Sequence, residues 1–280
     1  MSITSSAMLV EMNISVWTAQ TTDKTVSAKV AADNNAAADA GLYKKNLMAG
    51  TTGRKAIADY AAGCRNWHNA RTLPWSDRGA RLLPTSLFFD YKGEANLRRD
   101  QFNQMVERFI DNYPAHVAAA QARAGALFNP ADYPSADEVY KKFGFRLVFS
   151  PVPEAGDFRV DLPNKELQEM QASYQAAFDD RLADAMREPW AKMHDMLTKM
   201  SEKLALTEKT RWYDSFVGNA QEMCQMLTHL NVTNDPKLER ARRDLEEAMF
   251  GLDIDDFKED ELIRSQVKGK LDVILKQYEW

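Results

Sequence analysis

Nine Lys or Arg residues stand between Gly41 and Lys92, beside only three acids, in a chain whose formal net charge is -5. Lys44, Lys45, Arg54, Lys55, Arg65, Arg71, Arg78, Arg81 and Lys92 are interleaved with Tyr43, Tyr60, Trp67, Trp75, Phe88, Phe89 and Tyr91. Cations neutralise phosphate and flat rings stack on unpaired bases, so this mixture supplies the ingredients of a sequence-tolerant site for single-stranded nucleic acid. In that reading Lys44, Lys45, Arg54, Lys55, Arg65, Arg71, Arg78 and Arg81 contact phosphates. Trp67 and Trp75 are the stacking platforms, and Arg146 and Arg159 extend the surface. The competing reading puts the aromatics in the core and the arginines in solvent, with the basic stretch free to meet an acidic protein.

Within the stretch, Gly50-Thr51-Thr52-Gly53-Arg54-Lys55 opens a predicted helix. A nucleotide-triphosphate P-loop needs four residues between its glycines and a Ser or Thr after the lysine, whereas two intervene here and Ala56 follows. The Gly-x-x-Gly spacing is shared with the phosphate-clamping loop of KH domains, with Ile57 one place off that pattern. Cations in a first turn oppose the helix dipole, and an anion bound there reverses the sign of the effect. Cys64 and His68 fall at i and i+4 on the same helix; two ligands do not make a zinc site, and His116, His194 and His229 offer no spacing to complete one. No nucleophile elbow is present and no Cys–His arrangement stands out. The expectation is a protein without catalysis, cofactor or metal.

The elements that position these residues follow from pattern. Apolar residues alternate from Met8 to Val16, the period of a strand with one buried face. Residues 23–38 are Ala-rich and helical in character, 41–50 form a turn-rich connection, and a helix is expected from Gly53 to Asn69. Pro and Gly break regular structure across 72–81, and Thr85 to Tyr91 reads as a second strand. Leu97, Phe102, Met105, Phe109, Tyr113 and Val117 step at helical spacing, with Pro114 ending or kinking that helix. Phe145–Phe149 and Asp157–Leu162 read as paired strands. From Asn164 a stripe of eleven large apolar residues, Leu167 to Leu204, runs through Pro189 along one helix face. Further helices are predicted over Glu208–Leu230, Pro236–Leu252 with Asp235 as its cap, and Lys258–Tyr278.

These elements define an α+β fold, predominantly helical, with a small N-terminal sheet and a C-terminal bundle of long helices. The composition changes near residue 163, giving a mixed basic and aromatic region over 1–163 and an acidic helical region over 164–280, which can also form one integrated domain. Residues 1–110 carry +4, residues 111–159 carry -1 and residues 160–280 carry -8, a polarity suited to an N-terminal half that meets polyanions. Cys64 and Cys224 form no close pair, which fits a reducing cytoplasm. The N-terminus lacks the basic and apolar segments of a signal peptide, and no stretch approaches the roughly 18 apolar residues of a membrane span. The apolar stripe is longer than a compact domain readily covers, which predicts a homo-oligomer. The acids from Asp253 to Glu261 are separated from the terminal Tyr278-Glu279-Trp280 by the basic stretch Arg264–Lys276, unlike the acidic tails of single-strand-binding proteins.

The block TLPWSDRGARLLP at 72–84, together with MLVEMNISVWTAQ at 8–20, resembles an uncharacterised protein family of tailed phages and prophages over roughly the first 150 residues. Some relatives of that general type lie beside MoxR-like ATPases and von Willebrand A proteins. A soluble basic and aromatic protein of this size is also similar to the single-stranded-DNA-binding cofactors with which lytic podoviruses assist a phage RNA polymerase. The resemblance implies a bacteriophage setting in the host cytoplasm, with phage RNA polymerase or replication proteins as partners beside single-stranded DNA. The alternative it implies is an oligomeric adaptor or structural protein serving a phage AAA-type ATPase. It supplies no site residues.

Overall fold

The computed structural model describes residues 3–76, 79–153, 163–206, 212–278 and 280. Arg78, Arg159 and the strand expected over 157–162 lie outside them, as does the expected helix start at 208–211. Along the chain run α1 (Ile3–Ser6), β1 (Ala7–Ser15), β2 (Gln20–Thr22), α2 (Lys24–Asp33), β3 (Lys44–Asn46), α3 (Gly53–Arg71), β4 (Leu73–Pro74) and β5 (Arg81–Pro84). Then follow α4 (Phe88–Asp111), α5 (Tyr113–Ala124), α6 (Ala136–Tyr140), β6 (Gly144–Ser150), α7 (Asn164–Leu204), α8 (Ser215–Leu230), α9 (Pro236–Met249), α10 (Ile254–Glu259) and α11 (Glu261–Gln277). The fold is α+β and mostly helical. Among the described residues no helix is long and apolar enough to cross a membrane.

Local chemistry accounts for many boundaries. The Asp23 carboxylate accepts the N–H groups of Thr25 and Val26, each at 3.0 Å, and starts α2. Pro114 lies in the first turn of α5, where its missing N–H has no consequence, so the expected break there separates two helices. Asp235 accepts from the Lys237 N–H at 2.8 Å and starts α9 with Pro236 in its first turn. The helix expected over 258–278 is present as α11 from Glu261; Lys258 and Glu259 belong to α10, which ends at Asp260, whose side chain caps Leu262 and Ile263 of α11. Between 85 and 91 the expected strand is absent. Thr85–Leu87 form a 3-10 turn and α4 begins at Phe88, with Leu87 and Tyr91 buried one helical turn apart. The strand of this region is Arg81–Pro84, which pairs antiparallel with β1 from Ala7↔Pro84 to Val10↔Arg81. A second departure is β3, a short strand that pairs with β2 inside the segment expected as a turn-rich connection.

Strands order as β4-β5-β1-β6 in one sheet and β2-β3 in a separate pair. The chain divides into two compact units. One, here the basic unit, comprises Met12–Trp67 and Lys92–Leu147; the other, the acidic unit, comprises Met1–Glu11, His68–Tyr91 and Val148–Trp280. The basic unit buries Ile57, Ala61 and Cys64 of α3 against Phe102, Val106 and Phe109 of α4, both sets at helical spacing, with Ile14, Trp17 and Val139 completing the cluster. In the acidic unit α7 continues through Pro189. Its stripe from Met193 to Leu204 is buried among Phe216, Leu227, Leu238, Leu245, Phe257, Val267 and Leu271 of the following helices. Cover that was expected from a second subunit is therefore supplied for this half of the stripe by α8 to α11. A second cluster of the acidic unit holds Leu9, Leu73, Trp75, Leu82, Ala185 and Leu230.

Candidate functional site

Two arginines of α3 donate to backbone, Arg54 half-buried and Arg65 still exposed. Arg54 and Arg65 are three helical turns apart and so share a face. Arg54 Nε donates to the carbonyl of Trp17 at 2.8 Å, and an Arg65 terminal nitrogen donates to the carbonyl of Ile14 at 2.7 Å. Ile14 lies near the end of β1 and Trp17 two residues beyond it, so the pair ties α3 to the end of that strand. Lys55 is exposed and reaches Asp59 at 2.5 Å, one turn along α3. Arg71 is half-buried in the last turn of the same helix.

Adjacent lysines of β3 part company. Lys45 is nearly enclosed, ion-paired with Asp132 and with Asp23 at 3.2 Å, and donates to the Leu127 carbonyl at 3.3 Å. Its hydrogen bond with Asp132 raises the Lys45 pKa, while the Val26 N–H and Lys45 lower that of Asp23. Expected as a phosphate contact, Lys45 is instead a structural cation whose charge is already met by two carboxylates. Lys44 is exposed, as is Arg146, which lies on the rim of a shallow hollow of about 570 Å3 with Asn13, Ile14, Ser15, Gly144 and Phe145.

Neither expected stacking platform is available. Trp67 is 8% exposed, and the Arg98 guanidinium sits 4.8 Å from its ring centre. Trp75 is 6% exposed and meets Phe178 edge-on at 5.1 Å. A base would have to displace core to reach either ring. Arg81 also leaves the expected set: it donates to Thr72 Oγ1 at 2.7 Å and to the Thr72 carbonyl at 2.9 Å, and it pairs with Glu188 at 3.2 Å. Beneath it His68 is buried, its Nδ1 2.7 Å from the Tyr91 hydroxyl. Burial, helped by the nearby Arg81 charge, pushes the His68 pKa down to about 4. Burial likewise raises the thiol pKa of Cys64, and that of Cys224 to about 11, so neither is an activated nucleophile.

What the fold assembles is at the start of α3. Gly50 has φ +79, a left-handed conformation, and a Cβ built on it would overlap the Arg123 side chain, which lies across it from α5. His116, also on α5, is stacked on Phe109 at 5.1 Å and directs its Nε2 toward Gly53, 3.5 Å from where a Cβ would stand. The first N–H groups of α3, from Gly53 to Lys55, have no acceptor within the helix and lie at its positive end. A cation, an imidazole and a helix N-terminus thus converge on the Gly50–Lys55 loop, a combination suited to a phosphate group. Sequence reading singled out the loop and missed Arg123 and His116, because their partner glycines lie more than 60 positions away. No protein-family model, curated protein or solved structure matches the chain.

Proposed function

We propose that this chain is a non-enzymatic accessory protein that binds single-stranded nucleic acid through its phosphates, serving transcription or replication in the phage setting that its sequence suggests. The observation that carries this reading is the closure of Arg123 over Gly50, with His116 against Gly53, at the N-terminus of α3. Lys44, Lys55 and Arg146 supply further exposed positive charge on the same unit, which holds fifteen Lys or Arg against eleven Asp or Glu. Contacts of this kind are to the backbone of the ligand and carry no base preference. Base stacking at Trp67 or Trp75 forms no part of the proposal.

Anisotropy of a labelled single-stranded oligonucleotide tests it. Saturable binding is expected near 50 mM salt, a regime in which phosphate contacts are strong, weakening as salt rises. Replacing Arg123 and Lys55 by Ala should flatten the slope of log affinity against log salt by roughly 0.7 for each cation removed. Absence of saturable binding, or an unchanged slope in the double variant, overturns the proposal. The burial of Trp75 favours a second reading, the oligomeric adaptor, in which that residue is core. Phe250 and Leu262, 84% and 65% exposed, give it apolar surface to offer. Light scattering well above the 31.8 kDa of one chain, with no oligonucleotide binding, would select it.

A further inference from the structure

Three aromatic rings converge on one ammonium between the end of α7 and the start of α8. Lys203 Nζ lies 5.1 Å from the ring centre of Trp212, 5.6 Å from that of Tyr213 and 5.3 Å from that of Phe216. Trp212 and Phe216 meet at 83° with centres 5.1 Å apart, so their faces form two walls of a corner. Phe257, fully buried, packs behind both at 5.9 and 5.0 Å and holds the walls in place. Tyr213 is 57% exposed and marks the side open to solvent. Such a corner attracts any compact cation through the negative faces of the rings.

The occupant is poorly matched to the container. A lysine ammonium carries three N–H donors, and ring faces are weak acceptors beside carbonyls, carboxylates or water. Among the described residues no carboxylate or carbonyl is hydrogen-bonded to Lys203 Nζ. A cation with methyl groups in place of N–H presents the same charge, has no donors that must be kept hydrated, and puts more apolar surface against the rings. We infer that Trp212, Tyr213 and Phe216 form a binding site for a quaternary alkylammonium group, which Lys203 fills as a tethered competitor. The lysine comes from the last turn of α7, so displacing it requires only rotation of a flexible side chain. This site is independent of the nucleic-acid reading, since none of its residues belongs to the basic unit.

Proton NMR titration of tetramethylammonium chloride tests the inference. The Lys203→Ala variant, whose cage is vacant, should shift the methyl resonance upfield in a saturable manner, since only ring faces produce that displacement. Wild-type protein should bind about tenfold more weakly or less, because its own lysine must leave first. Ammonium chloride should not compete at equal concentration, and adding Trp212→Ala should remove the upfield shift. A trimethyllysine peptide that binds more tightly than tetramethylammonium would identify a polypeptide as the source of the cation; equal affinity would identify a free compound. Lys203→Gln, which keeps most of the stem, serves if circular dichroism shows that the alanine variant has lost helix. No upfield shift in a variant that unfolds cooperatively, or equal competition by ammonium, overturns the inference.

Discussion

Arg54 and Arg65 in the basic unit donate to carbonyls of Trp17 and Ile14, whereas Arg81 and Arg242 in the acidic unit are held by Glu188 and by Glu239 and Glu246. The distinction matters for electrostatics. A guanidinium bound to a carbonyl commits only part of its donor set and keeps its full charge, while one bound to a carboxylate is neutralised and lowers its partner's pKa, here pulling Glu239 down to about 2. The basic unit therefore retains a positive field even where its arginines are structural, and that field can steer a polyanion toward its exposed cations. The acidic unit, with twenty-one bases against thirty acids, repels the same ligand.

The sharpest way to break this contrast is through Trp75. Trp75→Ala should destabilise the acidic unit by about 3–5 kcal/mol, the usual loss for a buried indole, read as a lower urea midpoint. Oligonucleotide affinity per folded molecule should not change. A large loss of affinity in a variant that remains folded would return Trp75 to the binding surface.

Next in size is an acid effect centred on His68. Its folded-state pKa is depressed, so folding favours the neutral ring. The stabilisation is fully present above the ordinary value of 6.5 and is lost as pH falls toward about 4. Over that range the loss should approach about 3 kcal/mol. Urea midpoints of wild type and His68→Gln, measured from pH 7 to 4, isolate the contribution, since the variant should lack this part of the pH dependence. Parallel profiles would refute it.

Two adjacent lysines give the smallest and most discriminating pair. Lys45→Ala leaves Asp23 and Asp132 without their shared cation and should cost on the order of 1 kcal/mol. Lys44→Ala should change stability by less than about 0.5 kcal/mol while weakening oligonucleotide binding. Chemical denaturation and anisotropy on both variants check the assignment. The reverse pattern would show that the ion pairs of Lys45 do not decide which lysine is available.

Much of the fold was legible in the chain because it is written in short-range patterns. Alternation over Met8–Val16 marked β1, helical spacing and the start at Gly53 marked α3, Asp235-Pro236 announced α9, and the stripe from Leu167 carried α7 through Pro189. These signals depend on neighbours within four positions, where backbone preference and amphipathicity act. The segment Thr85–Tyr91 failed the same test, since a short apolar run suits a strand or a helix and the burial of both Leu87 and Tyr91 decided for the helix. Which cations remain available was legible only in part: Lys44, Lys55 and Arg146 are exposed, and others of the expected set are not. Lys45 and Arg81 are claimed by Asp132 and Glu188, 87 and 107 positions away, and Arg123 reaches Gly50 only because α5 folds across the start of α3. Residue type and spacing thus determined the elements and the regional charge; burial and distant partners, which exist only once the chain has folded, decided which of those charges and rings can meet a ligand.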